Sequence, residues 1–204
     1  LSMHAMGGRA ISRMIDRACR EEKWTPDGIP YVRIEHATDP SDDSLKKAAG
    51  HGISFVTQPI FLYAESKSYL SNLGQEWTRR CYPIRHILEE GVVLGFSTDA
   101  PATFWAVPSD PFPGIKLAVT RTAADGTDCG RDQAVDAETA VKLYTDGAAQ
   151  AAGFPDMGKL IPGYRADFAV LSDDILHISP EKIDQIRVEE TYISGECVYR
   201  RNGK

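Results

Sequence analysis

The feature that most constrains this chain is a repeating order of short apolar runs and longer helical stretches along residues 1–125. Tyr31–His36 (YVRIEH) alternates apolar and polar residues as a half-buried strand does, and Pro30 bounds it. Residues 41–50 carry a helical pattern, with Ser41 as N-cap and Gly50 as stop. Ile53–Thr57 (ISFVT) is a further short strand, and Cys81–Gly91 a helix interrupted early by Pro83. Val92–Ser97 (VVLGFS) is a continuous apolar run, the pattern of a strand buried on both faces. Ahead of them, residues 8–20 place Ile11, Met14, Ile15 and Ala18 at helical spacing. Residues 1–4 are too few for periodicity to assign. Strands alternating with helices in this way predict an α/β fold of βα units around a parallel sheet.

The segment after Gln58, with Tyr63, Tyr69 and Trp77, reads as a loop whose aromatic side chains either line a pocket or pack as a lid. Residues 134–152 read as one helix, with Gly147 inside it and Gly153 at its end. From Gly158 onward the texture changes to short strands and glycine turns, with strands expected at 186–188, 191–193 and 197–199. The expected division is therefore a βα domain over residues 1–155 and a small β element over 156–204.

Composition removes several function classes. The 23 basic residues are outnumbered by 29 acidic ones, and no Lys/Arg-rich stretch occurs, so nucleic acid is not an expected partner. No apolar run reaches the ~18 residues of a membrane span, so no membrane partner is expected. Cys19, Cys81, Cys129 and Cys197 are far apart and form no C-x-x-C pair, which argues against disulfides and thiolate zinc and for a reducing, cytoplasmic setting. The opening residues LSMHAMGG resemble neither a signal nor a transit peptide.

Chemistry-bearing residues fall at strand ends. His4, His36, Gln58 and Asp99 each close or follow a strand-like run, the position at which βα barrels build their active sites. Imidazole and carboxylate suit zinc and similar divalent ions, so His4, His36 and Asp99 form a candidate ligand set. A structural or surface role is the competing reading for each, and an Asx-type turn accounts equally for Asp99 before Ala100-Pro101. His51, His86 and His177 lie in a loop, a helix and the tail, and are assigned no functional role. Phe104, Trp105 and Phe112 follow Asp99, and either wall the site or seat a loop on the rim.

In order along the chain stand H-A-M-G (4–7), I-E-H-A (34–37), Q-P (58–59), S-T-D-A-P (97–101), L-Y-T-D-G-A-A (143–149) and G-K-L-I-P-G-Y-R-A-D-F-A-V-L (158–171). This series resembles the carboxyl-terminal half of the amidohydrolase superfamily, and within it the amidohydrolase-3 group that includes N-substituted formamide deformylase-like enzymes. The resemblance implies the second half of a (β/α)8 barrel followed by part of a small β-sandwich domain. It implies metal-binding roles for His4 and His36, and for Asp99 a metal-binding and proton-shuttling role. Gln58, Tyr82 and Arg85 would face substrate, although for Tyr82 and Arg85, in Y-P-I-R, positioning a helix is the slightly favoured reading. Gly8 stands where the family commonly has an Asp, and the H-x-H pair of the family's early strands has no counterpart in this sequence.

The resemblance further implies a divalent metal, zinc by its ligands, and hydrolysis of a non-peptide C–N bond in a small amide or formamide through a metal-activated water. A closed barrel takes about 250 residues, so about four βα units fit here. The chain is therefore expected to be a fragment, inactive alone, that pairs through its open half-barrel face as a homo-oligomer. The alternative is a catalytically incomplete fragment or pseudoenzyme acting as a binding or regulatory protein.

Overall fold

A computed structural model describes residues 1–101 and 109–201. Four parallel strands form one sheet in the order β1 (Ser2–Ala5), β2 (Val32–His36), β3 (Ile53–Thr57), β4 (Leu94–Phe96). The order in space equals the order in sequence, as right-handed βα crossovers produce. Helices α1 (Gly8–Ala18) and α2 (Asp42–His51) make the first crossovers. In α1 the buried residues are Ile11, Ile15 and Ala18, one stripe at helical spacing. Ser41 caps α2 by accepting from the Ser44 N–H, Asp42 and Asp43 favour its positive end, and Gly52 terminates it at φ 68°.

The β3–β4 connection departs from expectation. Residues 59–80 form α3 (Pro59–Arg80) rather than a loop, and α4 (Ile84–Glu89) follows. The first residues of α3, Pro59 to Leu62, are all buried, so no apolar stripe marks the helix, and Glu65 and Gly74 break its geometry. Helix α5 (Phe112–Thr120) is also absent from the periodicity, because burial nearly all round it removes the stripe. The stretch expected as one helix is two, α6 (Ala137–Tyr144) and α7 (Asp146–Ala152), which turn at Thr145. Gly147 explains the turn: a Cβ there would collide with the Leu94 carbonyl oxygen, and one on Gly95 would lie 2.8 Å from the Ala148 Cα. The two glycines let α7 lie directly on β4.

Strands β5 (Phe168–Leu171), β6 (Val188–Ile193) and β7 (Glu196–Arg200) make a separate antiparallel sheet. β6 is continuous where two short strands were expected, with its register shifting at Thr191/Tyr192. The main core joins the parallel sheet to α1, α2, α4, α5 and α6, and includes Ile183 and Ile186 from the connection between β5 and β6. A second cluster under α3 contains Ile60, Leu62, Tyr69, Cys81, Tyr82 and Cys129. Among the described residues, no helix is long and apolar enough to cross a membrane.

Candidate metal centre

The carboxyl ends of β1 to β4 border a cavity of about 630 Å3 whose lining includes His4, Glu35, His36, Ser97 and Asp99. β1 and β2 bring the histidines together. In register, Ser2 pairs with Arg33 and His4 with Glu35. Ser2 Oγ donates to Glu35 Oε1 at 2.5 Å, and Arg33 Nε donates to the same oxygen at 2.6 Å. These polar residues alternate with Val32 and Ile34, which are buried in the core. Strict alternation would send His36 to that apolar side. Instead its φ is 71° and that of Ala37 is 44°, a left-handed backbone that L-residues seldom adopt. With that backbone, His36 Nε2 lies 2.8 Å from His4 Nδ1.

A neighbouring amide fixes the proton positions. Gln58 Nε2 donates to Ser97 Oγ at 2.9 Å and to the Val56 carbonyl at 3.4 Å. Its Oε1 is thereby directed at His36 Nδ1, 2.8 Å away. An amide oxygen only accepts, so Nδ1 of His36 carries the hydrogen and Nε2 presents its lone pair toward His4, accepting from Nδ1–H of that ring. Phe61 lies against the other side of this imidazole, with ring centroids 5.8 Å apart. His36 is thus buried, polarised and held, whereas His4 and Asp99 are exposed at the cavity. Asp99 also has a left-handed backbone, at φ 56°.

Two nitrogens bound to one tetrahedral zinc at about 2.0–2.1 Å stand about 3.3 Å apart. The His4–His36 separation needs to open by only about half an ångström to meet that value. The pair therefore fits two nitrogen ligands of one ion, and Asp99 lines the same cavity. Among the described residues there is no group of three or more His, Cys, Asp or Glu that could hold a metal by itself.

The other predicted residues are placed differently. Gln58 touches His36 and does not line the cavity. Tyr82 is fully buried under α3: its N–H donates to the Thr38 carbonyl at 2.7 Å, and its hydroxyl lies 3.5 Å from that of Tyr69. Burial pushes the Tyr82 phenol well above its ordinary range. Arg85 is exposed and donates twice to the Ala134 carbonyl, at 3.1 and 2.6 Å, tying α4 to the loop before α6. The structure brings neither Tyr82 nor Arg85 to the histidines. Phe104 and Trp105 lie outside the described residues. Arg33, Glu35 and Ser97 were missed by sequence reasoning, although the period-two pattern of YVRIEH placed Arg33 and Glu35 opposite Val32 and Ile34.

A family model described as the amidohydrolase family matches residues 1–199. YtcJ of Bacillus subtilis (strain 168) is 27% identical over 209 residues, covering 99% of this chain and 38% of that protein. The N-substituted formamide deformylase of Arthrobacter pascens is 26% identical over 205 residues, covering 100% of this chain and 37% of the relative. The chain thus spans under two fifths of the length of either relative. Among solved structures, an uncharacterized metal-dependent hydrolase from Pyrococcus horikoshii OT3 superposes with a TM-score of 0.71 at 29% identity, covering 88% of this chain and 35% of that one. The family match, spanning both sheets and every residue of the cavity, shows that this chain belongs to the amidohydrolase family.

Proposed function

We propose that this chain is the carboxyl-terminal part of a metal-dependent hydrolase acting on a non-peptide C–N bond, an amide or formamide of a small molecule. In this reading, residues 1–155 are the second half of a (β/α)8 barrel and residues 156–204 part of a β-sandwich domain. The observation that carries the proposal is the His4–His36 pair at 2.8 Å, with Gln58 holding the hydrogen of His36 on Nδ1 and its Nε2 lone pair toward His4. Support comes from the amidohydrolase match and from the metal-dependent hydrolase of similar fold.

His4 Nδ1 and His36 Nε2 would hold the ion, and the imidazole and carboxylate donors suit zinc. When bound, a divalent ion supplies Lewis acidity toward a carbonyl oxygen and toward water. The chain's own residues do the rest. Gln58 holds His36 in one tautomer and one ring orientation. The Asp99 carboxylate, exposed at the cavity, takes a proton from the attacking water and returns it to the departing amine nitrogen. The open face of the four-stranded sheet pairs with further barrel strands, within a longer chain or from a second copy.

The test is hydrolysis of N-alkylformamides by the protein carrying this chain with its amino-terminal barrel half. Asp99→Asn should lower kcat by about 100-fold or more with bound metal retained, in line with loss of a general base. Unchanged kcat in Asp99→Asn would overturn the assignment of Asp99.

A further inference from the structure

A second cavity, of about 380 Å3, lies on the same rim. Met6 lines both this cavity and the one bordered by the histidines. The same short segments build the two: Met6 follows His4 by two residues, Thr38 follows His36 by two, and α3 begins directly after Gln58. The far wall comes from α3, through Tyr69, Leu73 and Trp77.

Glu65, Ser68 and Asn72 add polar groups to that wall, and its apolar part, Tyr69, Leu73 and Trp77, is already ordered. Trp77 stacks on Tyr69 with ring centroids 5.8 Å apart and planes 15° from parallel. Its indole N–H donates to Asp39 Oδ2 at 3.0 Å, so the indole's polar edge is satisfied and its ring is held. Leu73 leaves half its surface open, and it stands beside Gly74, where φ of 81° and ψ of 167° break the helix. A large aliphatic side chain left open beside a fixed aromatic pair marks a surface that gains from being covered. The volume lies at the small end of the range for ligand sites, about 300–1,000 Å3.

We infer that this cavity is the subsite for the apolar substituent of the substrate, an aryl or branched alkyl group carried on the amide whose C–N bond lies over His4 and His36. Continuity through Met6 sets the occupant as part of the same small molecule. Leu73 and Trp77 are then the specificity-determining residues, and α3 is their carrier. The inference rests on the hydrolase reading above for the identity of the amide end.

The experiment compares binding of N-phenethylformamide and N-methylformamide by calorimetry, on the protein carrying this chain with its amino-terminal barrel half and on its Leu73→Trp and Leu73→Ala variants, with zinc stoichiometry read on the same samples. The unsubstituted chain should bind the phenethyl compound at least tenfold more tightly than the methyl compound. Leu73→Trp, which fills the cavity from an open position, should abolish that preference, and Leu73→Ala should keep it in part. Absence of the preference in the unsubstituted chain, or its persistence in a folded Leu73→Trp, would overturn the subsite. Zinc bound without the preference overturns the subsite and leaves the metal reading intact. A Leu73-dependent preference without zinc supports the subsite and counts against the metal reading instead.

Discussion

The molecule contains two polar clusters held by left-handed residues, and they are built to opposite ends. One is the His4–His36–Gln58 chain at the strand rim. The other is Arg121, at the end of α5, fully buried and itself at φ 51°. Among the described residues, the hydrogen-bond partners of the Arg121 guanidinium are backbone carbonyls: Nε reaches Cys129 and Gly130 at 2.9 and 3.1 Å, Nη1 reaches Tyr82 at 3.0 Å, and Nη2 reaches Arg79, Cys81 and Cys129 at 3.5, 2.9 and 2.5 Å. This cage pins the end of α3 to the 129–130 turn, and the whole side chain is buried from solvent. At the rim, by contrast, the hydrogen-bond chain ends on an imidazole open to a cavity. Backbone strain does not separate the two clusters, since both have it. What separates them is whether the last polar atom in the chain is sealed or presented.

The contrast is sharpest where it can be broken by substitution. Arg121→Leu should destabilise the fold by about 3 kcal/mol or more, because it leaves several buried carbonyls without donors. A large drop in the urea midpoint with native-like zinc affinity in the remaining folded protein would separate the sealed cluster from the presented one. Gln58→Leu should do the reverse. Loss of the hydrogen bond to His36 Nδ1 should weaken zinc binding by about 10–100-fold, while stability changes by about 1 kcal/mol or less. Competition with a chromophoric chelator reads the first quantity and urea unfolding the second. Equal zinc affinity in Gln58→Leu would show that the amide does not set the histidine tautomer.

The last expected effect is a pH dependence of the sealed region. Burial pushes the Cys81 thiol up to about 12 and the Cys129 thiol up to about 11. A thiol whose folded pKa is raised holds its proton more firmly folded than unfolded. Its contribution is complete below the unfolded value and is lost as pH rises through the folded one. Stability should therefore decline between about pH 9 and pH 12, and Cys81→Ala should flatten that decline. An identical alkaline slope in Cys81→Ala would place the titrating groups elsewhere.

Much of this was legible in the sequence because it rests on local periodicity. Strand ends at His36 and Thr57 followed from alternation and apolar run length, and those ends place His36 and Gln58 side by side. The parallel sheet followed from the order of elements. Helices α3 and α5 were not legible, since burial on nearly every side erases the stripe that announces a helix, and Glu65 and Gly74 interrupt what remains of α3. The break at Thr145 depends on Gly147 meeting a carbonyl of β4, a contact between distant segments that no local pattern encodes. The contact of Gln58 with His36 likewise needed the side-chain geometry. Tyr82 and Arg85 were expected at substrate only because Y-P-I-R resembles the family, yet packing took one into the core and the other onto the Ala134 carbonyl.

The most direct measurement is zinc stoichiometry by equilibrium dialysis on the folded protein carrying this chain with its amino-terminal barrel half, and on its His36→Ala variant. The account predicts close to one zinc per chain and its loss in His36→Ala, with the circular dichroism spectrum unchanged. A folded chain that binds no zinc, or that binds it equally with and without the His36 imidazole, would contradict it.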